Sequence, residues 1–287
     1  MKPGCDFDYS PLLSALYIFA RKFASLLFLG FLASGCGQGA GTVPLAVRIS
    51  PADGMTMVFV PAGPYSMGSG EGIPDARDDE KPLHVVELEA FWMDQTEVTT
   101  QMYAQCVDSG ECTPPHSIKS FTSDHYYGDP ALKDYPVINV DWVQAQMYCE
   151  WAGERLPTEA EWEKAACGTD NRLYPWGNQP PGKNRLNYDL KAGSTTRVGS
   201  YPAGTSPFGA LDMGGNVWEW VADRYDPAYY AVSPLSNPSG PGQGDERVIR
   251  GGSLIDPAAL VRCANRDMLR PGMRWRFLGF RCAQNDD

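Results

Sequence analysis

From Tyr174 onward, glycine and proline recur so densely that only short strands fit between them, at "VWEWVAD", "RVIRGG" and "FLGFRCA". With 30 glycines and 24 prolines in 287 residues, the chain reads as a loop-rich mixed domain, not as a repeating βα array. Long loops in a compact domain need a brace beyond the backbone ladder, and disulfides or metal ions supply one.

The regular elements lie mostly before that point. "MTMVFVPAGPYSMGS", Met55 to Ser69, is a β-branched and aromatic run broken by Pro-Ala-Gly, a strand, turn and strand. In the next run Val85, Glu87 and Glu89 alternate with Val86, Leu88 and Ala90, as in a half-buried strand. Thr99 is placed to cap a helix carrying Met102, Tyr103 and Cys106. Asp141 caps a second helix, predicted to turn Val143, Met147 and Trp151 to one face. Thr158, after Pro157 and three residues before Glu161, makes a capping box for a third helix through "TEAEWEKAAC".

Whether cysteines can act as braces depends on the compartment. Arg21 and Lys22 precede the apolar run Phe23 to Leu32, which is followed by Ala33, Ser34, Gly35 and Cys36. That is a charged n-region, a short h-region and a small-residue cleavage site, the pattern of a secretory signal. At about ten residues the run is well short of the roughly twenty a spanning helix needs. With Cys36 directly after Ala-Ser-Gly it resembles a bacterial lipoprotein signal whose cysteine takes the lipid. The expected layout is therefore a signal at residues 1–35, a Gly- and Pro-rich tether at 36–54, and a folded domain at 55–284. The expected location is the bacterial cell envelope, with the exported protein membrane-anchored through Cys36. Removing the signal takes away Lys2, Arg21 and Lys22 against Asp6 and Asp8, a net +1, so the charge moves from −11 to −12. Such an acidic surface argues against nucleic acid and anionic headgroups as partners.

Eight cysteines are present; Cys5 leaves with the signal and Cys36 is used for lipid. The remaining six, Cys106, Cys112, Cys149, Cys167, Cys263 and Cys282, are an even set in an exported chain, which favours disulfides. "CVDSGEC" closes a tight local loop between Cys106 and Cys112. Bridges among the other four would close long loops, each worth roughly 3 to 5 kcal/mol in the chain-entropy account. Zinc is poorly supported, because there is no CxxC and His84, His116 and His125 are scattered.

The segments "MVFVPAGPYSMGS", "FWMDQTEVTTQMYAQC", "YPVINVDWVQAQMYCEWAGERLPTEAEWEKAA", "YPWGN", "SPFGALDMGGNVWEWVAD", "RVIRGGS" and "LGFRCA" follow one another here. In content and order they resemble the formylglycine-generating enzyme family, also called the sulfatase-modifying factor family, from about Met55 to Ala283. The resemblance implies a single α+β, loop-rich domain of C-type-lectin-like topology. It also implies a chemistry: oxidation of a sulfatase cysteine to formylglycine, with oxygen and copper(I) held by two thiolates about five residues apart, soft ligands suited to that ion. In the family those thiolates lie between the "RGGS" turn and the cysteine that opens "RCA". Here that interval, Leu254 to Val261, contains no cysteine, so copper is not expected.

The same resemblance implies bridges Cys149 with Cys282 and Cys167 with Cys263, the latter one residue off the family spacing. It implies calcium at "GGNVWEW", on the side chains of Asn216 and Glu219 and the carbonyls of Gly215 and Val217, all hard oxygen donors. The plainer reading makes Glu219 a strand residue paired with an arginine, and Trp218 and Trp220 core. A further calcium site is implied at Asn187 and the Tyr188 carbonyl. Ser253 and Trp220 match positions lining the family's groove. Arg262, Arg266 and Arg270, near Asp256, are either ligands for a carboxylate or sugar acid, or members of solvated surface ion pairs. The expected function is a non-catalytic, calcium-stabilised binding or assembly module for a peptide, a glycan or another envelope protein. The alternative is an oxidoreductase that makes formylglycine.

Overall fold

The computed structural model describes residues 45–286. The expected signal, Cys36 and the tether as far as Pro44 lie outside the described residues. No helix among the described residues is long and apolar enough to cross a membrane.

The strands in chain order are β1 (Val47–Ile49), β2 (Thr56–Val60), β3 (Gly63–Met67), β4 (His84–Leu88), β5 (Phe91–Asp94), β6 (Trp218–Arg224), β7 (Arg247–Arg250), β8 (Arg266–Leu269), β9 (Leu278–Phe280) and β10 (Ala283–Asn285). The helices are α1 (Thr100–Ser109), α2 (Trp142–Trp151) and α3 (Glu159–Cys167). One antiparallel sheet runs β1-β2-β5-β10, a hairpin-like pair joins β3 to β4, and a second sheet runs β8-β7-β6-β9 with β9 parallel to β6. This is the expected α+β, loop-rich domain. Pro61 and Ala62 do not close a hairpin: β2 pairs with β1 and β5, while β3 leaves to pair with β4.

The fold starts earlier than Met55. Val47 pairs with Val58 and Ile49 with Thr56, so the end of the expected tether is an edge strand. The sequence hid it because Leu45, Val47 and Ile49 stay exposed. Backbone pairing holds the strand, helped by the Arg48 guanidinium 4.4 Å over the Trp92 ring.

The three helix starts are where the capping residues put them. Thr99 Oγ1 accepts from Met102 N at 3.2 Å, and both Asp141 and Thr158 close capping boxes, with Gln144 and Glu161. The buried face of α2 differs from expectation: Gln144, Ala145, Tyr148 and Cys149 point inward, while Val143 and Met147 are exposed. Three bonds set that rotation. The Gln144 amide donates to Thr113 Oγ1 and the Pro114 carbonyl, and Cys149 is bridged to Cys282. A local polar satisfaction and a covalent tie outweigh two exposed apolar side chains.

The apolar interior falls into two large clusters. One surrounds α3, with Trp162, Val58, Val60, Tyr65 and Phe91; the other lies between α1, α2 and the second sheet, with Tyr103, Tyr148, Trp218, Trp220 and Phe280. The bridges Cys106–Cys112 and Cys149–Cys282 both sit in the second cluster. The expected third bridge is not made. Cys167 and Cys263 are unbonded and buried in the first cluster. Their thiols are hydrogen-bond neighbours. Cys167, the last residue of α3 and one residue beyond the family spacing, meets its partner by contact and not by a bond.

Candidate functional site

The place to look first is the loop that follows β7. Gly251 and Gly252 turn it with φ of 93° and 71°, and a Cβ on Gly252 would meet the Leu260 carbonyl at 2.6 Å, so only glycine lets the two backbones cross here. Ser253 comes next. Its N–H and its Oγ both donate to Asp256 Oδ2, at 2.8 and 2.6 Å. Burial raises the Asp256 pKa, and the hydrogen bonds from Ser253 and from Trp218 work the other way. The loop is strapped down by backbone bonds from Leu254 N to Asn216 O, Leu190 N to Leu254 O and Asp189 N to Asp256 O. Leu254 and Val261, its two ends, are fully buried. Where the resemblance puts two thiolates, this chain has a closed loop knotted around one carboxyl group.

The groove expectation fails at its named residues. Ser253 and Trp220 are both 0% exposed. The Trp220 indole donates to the Val140 carbonyl at 3.2 Å inside the second cluster, and Trp218 is core as well. The arginines are corrected in a different way. Arg262 makes a two-pronged contact with Glu80 (2.7 and 2.7 Å) and Arg266 one with Glu159 (2.8 and 2.7 Å), all four residues being buried. They are internal braces, neither solvated pairs nor ligand arms; Arg270 alone of the three is exposed.

Calcium can be tested on the donors themselves. Glu219 Oε2 accepts from Arg281 Nε at 2.7 Å and Trp162 Nε1 at 2.8 Å, and its Oε1 accepts from Arg281 Nη2 at 2.7 Å. Both oxygens of this 1% exposed carboxylate are thus spent on cationic and indole donors. Asn216 Oδ1 accepts from Thr196 N at 2.9 Å, and the Asn216 carbonyl from Leu254 N. The Tyr188 carbonyl accepts from Lys191 N. Glu219 therefore does not fit a calcium ion at this turn, because both its oxygens are already engaged by Arg281 and Trp162. Among the described residues Asn187 Oδ1 has no partner, while its Nδ2 donates to the Ser194 carbonyl, so this oxygen stays open to a cation. The expectation for Gly215 and Val217 concerns their carbonyls; a Cβ on Gly215 would lie 2.2 Å from Asn187 O, and the Val217 side chain is fully buried core.

Sequence reasoning missed what gathers behind that turn. Glu97 accepts from Asn216 Nδ2 at 2.9 Å, and Asp212 lies beside Glu97. Burial raises the Glu97 pKa well above the carboxylate range, and the Asp212 and Glu219 charges raise it further; Asp212 is raised by burial too. Burial works against the Arg281 charge, and the attraction of Glu219 overrides it, so Arg281 stays cationic. Three carboxyl groups share one guanidinium.

The Cys167 thiol borders a cavity of about 110 Å³ lined among others by Gly68, Ser69, Glu163, Arg172 and Arg262. Burial raises the Cys167 pKa, and Cys263 raises it further, so the wall presents a thiol and not a thiolate nucleophile.

Residues 46–286 match the model of the sulfatase-modifying factor enzyme 1-like domain. The chain belongs to that family. Among its relatives is a formylglycine-generating enzyme of Streptomyces coelicolor, 33% identical over 282 residues, with 80% of this chain and 89% of that protein covered. Another is the serine/threonine-protein kinase pkn1 of Chlamydia caviae, 36% identical over 79% of this chain; the match spans only 38% of the kinase's length. The solved structure of PvdO from Pseudomonas aeruginosa superposes with a TM-score of 0.72 at 27% identity, covering 85% of this chain and 99% of PvdO. The family's shared fold is thus carried by the described part of the chain.

Proposed function

We propose that this sulfatase-modifying factor domain is an exported, lipid-anchored module of the bacterial envelope that does not make formylglycine and instead binds a peptide, a glycan or another envelope protein. One observation carries the reading. Between Ser253 and Cys263 there is no cysteine, and the loop is closed around Asp256, which Ser253 holds through two hydrogen bonds. A carboxyl group is a hard donor and does not replace the soft pair that copper(I) selects. The unbonded thiols are no substitute: Cys263 is 1% exposed, Cys167 is protonated, and both are core residues.

A second reading, an oxidoreductase of the same family, is favoured by the Streptomyces coelicolor relative, which the chain covers almost end to end. One assay separates the two. A sulfatase-type Cys-x-Pro-x-Arg peptide is incubated with the full chain, copper(I) and oxygen, and its mass is followed for the loss that accompanies conversion of cysteine to formylglycine. The binding reading expects no conversion above a copper-only blank; protein-dependent turnover overturns it.

A further inference from the structure

We propose that Ser50, Asp94 and Glu154, with Asp53 beside them, form a buried site for one calcium ion, away from the Asn216 turn. The site lies where four segments meet: the end of β1 and its turn, the end of β5, the third residue after α2, and the bridge at Cys282. Exposure is 3% for Ser50, 8% for Asp53, 0% for Asp94 and 8% for Glu154. Oxygens of Asp94 and Glu154 and the Cys282 sulfur all lie within 4.8 Å of one another. That sulfur is bonded to Cys149, so it forms a wall and not a ligand.

Among the described residues, three oxygens of this cluster have no hydrogen-bond partner of good geometry: Ser50 Oγ, Asp94 Oδ1 and Glu154 Oε2. The serine is neutral and buried, and it lies close enough to the Glu154 carboxyl to lower its pKa, though no hydrogen bond of good geometry joins them. Buried polar oxygens are almost always satisfied, so several orphans in one place mark a missing partner. The other oxygens show what satisfaction looks like here. Asp94 Oδ2 accepts from Cys282 N at 2.8 Å, and Asp53 accepts from Met55 N at 2.9 Å and from the Tyr148 hydroxyl at 2.6 Å.

Charge points the same way. Among the described residues no lysine or arginine side chain donates to any of the three carboxyl groups. Arg281 touches Asp94 only at its backbone carbonyl, at 3.1 Å, and pairs with Glu219, while Arg48 bonds to Gln284; their charges lower the Asp94 and Glu154 pKa values without outweighing burial. Burial raises the Asp94 pKa and the neighbouring Glu154 charge raises it further; burial and Asp53 push Glu154 up to about 7. A doubly charged ion removes the repulsion and partners the orphans together. Calcium suits it, because its ligands are oxygens at about 2.4 Å in irregular geometry, so that oxygens on opposite sides are about 4.8 Å apart.

The test uses the full chain stripped with EGTA, with calcium alone and then terbium as probes. Calcium at a hundredfold excess over its Kd is expected to raise the melting midpoint by about 5 °C or more. Terbium emission, excited through Tyr148 on Asp53, is expected to saturate at one ion per chain. Glu154→Gln is expected to abolish both effects while melting no lower than the parent in EGTA, since it also removes a repelled charge. Glu154→Lys supplies the cation internally and is expected to melt higher than the parent in EGTA, with no response to calcium. Glu97→Gln, at the other acidic cluster, is expected to keep the response. A calcium shift that survives Glu154→Gln overturns the site, because the ion then sits elsewhere. So does the absence of any calcium shift in the parent, in which case Asp94 and Glu154 share a proton. Neither outcome depends on whether the domain makes formylglycine.

Discussion

Arg281 and Glu219 offer the sharpest test of the architecture, because removing one partner should not equal removing the other. Arg281 is fully buried, gives two charge-assisted bonds to Glu219, and donates to the carbonyls of Asp94, Gln95 and Leu211 at 3.0 to 3.1 Å. Glu219→Gln preserves volume and an acceptor for Trp162, and the guanidinium it abandons still faces Glu97 and Asp212. The loss should be that of charge-assisted bonds, about 2 to 3 kcal/mol. Arg281→Met instead leaves three buried carboxyl groups with no cation and strips three carbonyls of their donor. Breaking a buried pair in this way costs about 3 to 5 kcal/mol, and here the upper end applies. For a domain of this size that separates the two melting midpoints by several degrees. Urea unfolding of both variants and of the double variant, in EGTA and in calcium, measures the difference. The reasoning is refuted if Arg281→Met is the milder change, or if the Glu219→Gln loss appears only in calcium, which would make Glu219 an ion ligand after all.

Replacing Cys36 with Ser should release the protein from membranes and abolish incorporation of labelled palmitate; unchanged retention removes the anchor from the proposal. Thiol titration of the denatured, unreduced domain spanning residues 45–286 should read two groups, Cys167 and Cys263, whereas a reading near zero means that the third bridge forms. The Glu97 and Asp212 carboxyl groups are raised in the fold, so the native state holds protons that the unfolded chain releases above about pH 4. Stability should therefore fall as pH rises from that point toward the folded pKa values, and Glu97→Gln should flatten the slope measured by chemical unfolding across that range.

Signals that are local in the sequence were legible. Thr99, Asp141 and Thr158 open helices because capping is decided within four residues, and Cys106 finds Cys112 within the same turn of chain. Family order supplied the Cys149–Cys282 bridge and the overall fold. What escaped depends on distant partners. Gln144 points inward because of a loop thirty residues earlier in the chain. β1 is held by an exposed edge pairing and buries none of its three residues fully. Ser253, placed in a groove by likeness, is sealed by Asp256, a residue outside the family's motif. The acidic residues Asp53, Asp94 and Glu154 are scattered singly in sequence and carry no spacing pattern, so only folding shows that they meet.

The buried arginines have a consequence for how this fold can diversify. Arg250 grips the carbonyls of Cys263, Ala264 and Asn265, Arg262 those of Asp75 and Ala259, and Arg281 those of Asp94, Gln95 and Leu211. A carbonyl is common to every amino acid, so each grip registers the path of a loop and is blind to its side chains. Such a scaffold accepts rewriting of its exposed loop residues while resisting any insertion that moves a gripped carbonyl out of reach. Surface identity and backbone course are thereby inherited separately.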